Sequence, residues 1–349
     1  MKFKQLLSML FAWSIALSAV AERTLTDQLN REVVIPDHVQ RAVILQHQTL
    51  NIAVQLDATE QVVGILAKWK KQLGANYARL APELNNMAIP GDLNEVNIES
   101  LLALKPDVVF VTNYAPPAMI QQITDAGLPV IAISLRRGDA QQQAKLNPTL
   151  KNDDEAYSEG LKDGIRLIAE VFEKQAQGEA LIQAAFAQRK LLAERLKDIA
   201  PAERIKVYMA NPDLTTYGSG KYTGLMMEHA GADNVAAATI KGYKQVSLEN
   251  VLNWNPQVIF VQDRYPDVVN QITASADWAN IDAVKHQRVY LMPEYAKAWG
   301  YPMPEALALG ELWMAQKLYP QRFGDIDLDK LVDEYYLRFY RMHYHAEPR

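Results

Sequence analysis

Residues able to hold a ligand gather where short apolar, β-prone runs end. The runs at 42–45, 62–65, 108–112, 205–209, 258–261 and 289–292 read as buried strands. After the first three come Gln46, His47, Gln48 and Thr49, then Lys68 and Trp69, then Asn113 and Tyr114. The others lead into Tyr217 and Ser219, then Asp263, Arg264 and Tyr265, then Tyr295 and Trp299. In open parallel sheets ligands sit beyond the carboxyl ends of the strands, so these loops should line one cleft. Aromatic faces with a few cations, Lys68 and Arg264, suit a bulky, partly flat, anionic ligand. Helix N-termini would add backbone N–H donors.

A second chemistry uses fewer residues. A small oxyanion needs a compact nest of N–H and hydroxyl donors, for which Tyr217-Gly218-Ser219-Gly220 and Thr49 are candidates. The aromatic content points to the large ligand, whereas the Gly-Ser loop suits either. Direct capture of a bare metal ion needs several His and carboxylate ligands from both sides of a cleft. Of six histidines, His47 alone follows a predicted strand. Enzymatic motifs are missing: the chain has no cysteine, no G-x-S-x-G elbow, no G-x-G-x-x-G, no P-loop and no H-E-x-x-H. Gly218-Ser219-Gly220 lacks the elbow's spacing. An exported hydrolase with a carboxylate pair is the competing class, and a stoichiometric binder without a cofactor is the expectation.

The elements that must position these residues repeat. Residues 96–111 (VNIESLLALKPDVVFV) recur at 246–261 (VSLENVLNWNPQVIFV), with Val96/Val246, Glu99/Glu249, Leu102/Leu252, Pro106/Pro256 and Phe110/Phe260 identical. Each copy is a two-turn helix, a proline that stops it and a strand apolar on both faces, the αβ unit of a parallel sheet. Two such units predict two similar α/β lobes with mostly parallel sheets. An N-terminal hairpin is expected over 24–39, and residues 66–95 read as loop. The acidic start Asp153-Asp154-Glu155 opens a helical stretch to about 171 that reads as a stiff bridge between lobes. A second helix is expected over 178–199, and the tail from Pro304 reads as helical. The expected division is a signal peptide at 1–21, an N-terminal lobe at 22–150, the bridging helix at 151–176 and a C-terminal lobe with C-terminal helices at 177–349.

Lys2 and Lys4, an apolar run from 6 to 20 and Ala19-Val20-Ala21 form a secretory signal pattern with cleavage expected after Ala21. No later run reaches the roughly 18 apolar residues of a membrane span. Without cysteine there is no lipid attachment at the cleavage site and no disulfide. These features fit the periplasm. The formal charge of −5, more negative once two signal-peptide lysines are lost, argues against general nucleic-acid or anionic-membrane binding.

The hairpin start, both P-[DQ]-V-[VI]-F-V units, Gly231-Ala232-Asp233-Asn234-Val235, the central helix and the aromatic C-terminal helix together resemble the helical-backbone (class III) periplasmic substrate-binding proteins. That family serves ABC importers of ferric siderophores, vitamin B12 and haem, and some members take molybdate or tungstate. The resemblance implies two lobes joined by one long helix, small hinge motion, and a monomer that delivers its ligand to a membrane permease and its ATPase. It implies docking through a surface Glu on each lobe, here Glu99 and Glu249. It also places Tyr217 on a ligand-side loop and Tyr243 at another aromatic position. The ligand expected first is an iron chelate of the ferric-siderophore kind, with a small oxyanion (molybdate or tungstate), cobalamin or haem as alternatives.

Overall fold

The computed structural model describes residues 21–344. The signal-peptide assignment falls on residues outside this range, as does His345. Strands β1 (Glu22–Thr26) and β2 (Glu32–Pro36) form the expected antiparallel hairpin. Its turn is tied down by Asp27, whose carboxylate accepts from the backbone N–H groups of Leu29 and Arg31 and, across the lobe, from Ala132.

Lobe one is a five-stranded, all-parallel sheet in the order β5-β4-β3-β6-β7, formed by β3 (Ala42–Ile44), β4 (Val62–Leu66), β5 (Ala88–Gly91), β6 (Val108–Thr112) and β7 (Val130–Ile133). β3, β6 and β7 are buried throughout, as expected of strands covered on both faces. The region read as loop holds β5, which Pro90 and Gly91 disguised, and a short helix, Trp69–Leu73. Lobe two contains β8 (Ile205–Ala210), β9 (Thr215–Tyr217), β10 (Ala232–Asn234), β11 (Tyr243–Gln245), β12 (Val258–Val261) and β13 (Val289–Leu291). Four of these make a parallel sheet, β10-β8-β12-β13, while β9 and β11 pair as a small antiparallel ribbon.

The two repeat units fold alike. Asn97 and Ser247 cap the helices Ile98–Ala103 and Leu248–Trp254 by accepting from the N–H groups of Ser100 and Asn250. Leu101 and Val251 point into the cores. Lys105 and Asn255 both take left-handed backbone, φ 46° and 44°, immediately before the shared proline. An α-region conformation is disfavoured before proline, so both helices stop at the same register.

The bridging helix runs Asp153–Val171, capped by Asn152 and opened by three acidic residues. It lies so close to lobe one that a Cβ on Gly160 would sit 1.9 Å from Arg136 Cα. The second expected helix is in fact two, Gln175–Phe186 and Arg189–Leu196. The C-terminal helix Leu328–Phe339 does not belong to lobe two alone: Tyr335 and Tyr340 donate from their hydroxyls to Gln55 and Asn51 of lobe one's first helix, His47–Gln55. One hydrophobic core accordingly passes through both lobes and the bridge, and smaller clusters back the outer face of each sheet.

Candidate functional site

The loops leaving the two parallel sheets meet one another. His47 begins the helix after β3, and its ring centroid lies 5.5 Å from that of Trp299 on the opposite side. Arg264, just beyond β12, reaches across to lobe one, donating from Nη1 to the Gln72 carbonyl at 3.1 Å and to Gln72 Oε1 at 3.2 Å. Its Nε donates to Gln262 Oε1 at 2.9 Å. The Arg264 guanidinium lies 5.4 Å from the Trp299 ring centroid, and Lys297 Nζ lies 4.8 Å from it. Tyr265 packs against Arg264. Two cations therefore flank a buried indole.

Among the described residues both buried ring systems carry a polar atom without a hydrogen-bond partner, His47 Nδ1 and Trp299 Nε1. Burial, with the charges of Arg264 and Lys297, holds the His47 imidazole well below its ordinary pKa. The ring is thus neutral at neutral pH and carries one N–H. Among the described residues no side chain caps the helix that starts at His47, so its first-turn N–H groups are available to an anion. Asp263 completes the group. Its carboxyl is pushed up to about 7 by burial, against the opposing charges of Lys297 and Arg264.

Lys297 sits in this site because Glu305 holds it there. Both are buried, with Nζ 3.5 Å from Glu305 Oε1. Glu305 also accepts from Asn51 Nδ2 and Gln55 Nε2, each at 3.0 Å, and from the Tyr340 hydroxyl. One carboxylate so joins lobe one's first helix to the 297–305 segment carrying Trp299.

A second polar cluster lies alongside. Arg136, fully buried at the exit of β7, donates to the carbonyls of Gln142, Gln143 and Lys145 and to the Tyr301 hydroxyl. Lys221 Nζ lies 4.3 Å from the Tyr301 ring centroid and donates to the Leu146 carbonyl. Burial and Arg136 lower its pKa to about 7. Asn113 is tied in through Tyr301 and Gln143, and Tyr114 stacks on Tyr301.

Four sequence-derived candidates stand elsewhere or do other work. Lys68 is mostly exposed and pairs with Asp92 at 3.2 Å. Ser219 is exposed and lines a pocket with Asp153, Glu228 and Asn234, apart from His47 and Trp299, and the nest beside it is filled: the Gly220 N–H donates to Asp153 Oδ2 at 3.0 Å. Tyr295 turns toward the C-terminal segment, its ring 5.6 Å from Tyr344. Trp69 is buried in the lobe-one core with Lys70 over its ring. Tyr217 and Tyr243 face one another at 4.6 Å across the β9–β11 ribbon. Sequence reasoning missed Lys297, Tyr301, Arg136 and Gln72, and reached Lys221 only as the end of the ligand-side loop that the resemblance implies. Arg136 was within reach, because the strand-exit rule applied to β7 leads directly to it. Lys297 carried no such signal.

With this geometry in place, comparison with known proteins is decisive at the level of family. Residues 43–296 match the model of the periplasmic binding protein family. The chain belongs to that family. A Haemophilus influenzae protein named molybdate-binding protein MolA is 70% identical over 344 residues, spanning 99% of this chain and 98% of that protein. A solved structure of H. influenzae MolA bound to molybdate, described as the cognate periplasmic binding protein of an ABC transporter, superposes with a TM-score of 0.91 at 72% identity. That match covers 93% of this chain and 99% of the other. A periplasmic solute-binding protein from Veillonella parvula matches at 26% identity and a TM-score of 0.74, covering 93% and 94%. The two-lobe architecture with a long connecting helix is the one expected from the sequence, and the chain is a binding protein of the periplasm rather than an enzyme.

Proposed function

We propose that this protein is the capture component of an ABC importer for a tetrahedral oxyanion of the molybdate or tungstate kind. The observation carrying the reading is that two buried ring nitrogens, His47 Nδ1 and Trp299 Nε1, have no hydrogen-bond partner among the described residues and lie with the cations Arg264 and Lys297. The 70% identical relative whose name states molybdate binding supports the same ligand. The iron chelate expected first from aromatic content is displaced by how those aromatics pack. Trp299 lies against His47, Tyr114 against Tyr301, Tyr217 against Tyr243 and Tyr295 against Tyr344, so each ring is already engaged by another, which counts against a wide aromatic platform for a flat ligand.

Delivery uses Glu99 and Glu249 in this proposal. Both are exposed in the first turns of equivalent helices. A helix preceding a parallel strand starts at the end of the sheet where that strand exits, so the two carboxylates flank the cleft and meet basic residues of the permease together. The test is calorimetric titration of the chain lacking residues 1–21 with sodium molybdate, sodium tungstate, a ferric siderophore and haemin. Saturable one-to-one binding of the oxyanions is the expected result. Binding of a ferric siderophore or haemin with none of molybdate sinks the proposal.

A further inference from the structure

A carboxylate is out of place in a site for a dianion unless it can carry a proton. Asp263 leaves β12 directly before Arg264, and its Oδ2 lies 3.6 Å from where a Cβ on Gly74 of lobe one would stand. It therefore faces across the cleft, beside the Gln72 carbonyl that receives Arg264. Among the described residues no side chain donates a hydrogen bond to it. It is held by the backbone N–H of Arg264, and the charged groups acting on it are Lys297, Arg264 and Glu294. Glu294 is itself paired with Arg79 at 2.8 Å. Lys297 and Arg264 are also the two charges acting on His47. The same two cations thus act on His47 and on Asp263, which faces lobe one at Gly74.

We propose that Asp263 takes up one proton from solvent as the oxyanion enters and donates it as a hydrogen bond to a ligand oxygen. Capture is thereby coupled to pH, and oxyanions that carry no proton of their own are selected. This inference rests on the oxyanion reading above. An ionised Asp263 would repel a dianion held beside Arg264, whereas the neutral acid supplies a donor, as the Trp299 indole does. Burial already brings the carboxyl to about 7 in the free protein, and an adjacent dianion raises it further. Between the free and the bound values, affinity follows the proton concentration. His47 is held low and would take up its proton at more acidic pH.

The experiment is titration with sodium molybdate between about pH 6 and pH 9, in buffers of different ionisation enthalpy. Wild type should take up close to one proton per molybdate near pH 8, with affinity falling up to about tenfold per pH unit above it. Asp263→Asn keeps a donor in place. It should bind with no proton uptake in that range and hold molybdate more tightly than wild type at the alkaline end. Wild-type binding that is flat with pH, or proton uptake that survives in D263N, overturns the inference. No molybdate binding at pH 6 overturns the oxyanion reading itself, and this proposal with it. The wild-type proton count stands without the variant, and the variant's melting temperature reports whether it is folded.

Discussion

Arg264 touches both lobes at once, through Gln262 on its own side and Gln72 on the other, and its charge borders the buried Trp299 indole. Hydrogen bonds to charged groups contribute about 1.5–3 kcal/mol. Arg264→Ala should therefore weaken molybdate binding roughly tenfold to a hundredfold, measured by titration. Its melting temperature should fall modestly as well, because the part-buried side chain gives up its hydrogen bonds to Gln262 and Gln72. At this scale the sequence was readable where a residue follows a strand directly. His47 and Arg264, each three residues past β3 or β12, were singled out that way, and the structure places both beside Trp299. Ser219 misled because a Gly-Ser loop looks like an anion nest, and nothing local in the sequence shows that Asp153, on a distant helix, already occupies it. Lys297 was invisible for the opposite reason. A lysine reads as solvent-facing until a buried partner such as Glu305 is known.

The bridging helix gives the clearest prediction among the elements. On propensity alone, Gly160→Ala should stabilise a helix interior by up to about 1 kcal/mol. The backbone of Arg136 occupies the place of that methyl group, and backbone cannot swing aside as a side chain can. Gly160→Ala should therefore destabilise the fold by at least about 2 kcal/mol, measured by urea denaturation. The same helix is fastened to lobe two through His229. Its ring meets Glu311 at 2.9 Å and Asp154 at 3.3 Å. Burial lowers the His229 pKa, but the charge of Glu311 and the bonds to both carboxylates outweigh it and bring it to about 9. A raised histidine pKa contributes stability fully below about 6.5, the unfolded value, and loses it as pH rises through 9. Melting temperature should accordingly fall between pH 7 and pH 10, by the equivalent of about 2–3 kcal/mol. His229→Gln should flatten that fall. Helices and buried strands were legible because their apolar periods are strong. The β9–β11 ribbon was not, because its three-residue strands take their register from contact with one another.

For the whole molecule, the internal repeat foretold two lobes, and the structure adds how tightly they are joined. The core is continuous through both, Glu305 ties the two sides of the site together, and the C-terminal helix clasps lobe one. These ties agree with the small hinge motion that the family resemblance implies. The contacts themselves were not readable beforehand, since they join residues some 250 positions apart, as Asn51 and Gln55 are from Glu305. Delivery is the property that belongs to the molecule as a unit. A Glu99→Ala, Glu249→Ala double variant should bind molybdate with wild-type affinity, because both carboxylates are exposed on helices outside the site. Reconstituted with its transporter, it should fail to support uptake.

Ligand choice is the central claim, and competition tests it most directly. The chain lacking residues 1–21 would be titrated with sodium molybdate alone and then in the presence of excess ferric siderophore. Molybdate should bind one to one, with an affinity that the siderophore leaves unchanged. Heat from the siderophore together with none from molybdate would mean that the aromatic residues open to hold a chelate, contradicting the site built on His47, Trp299, Arg264 and Lys297.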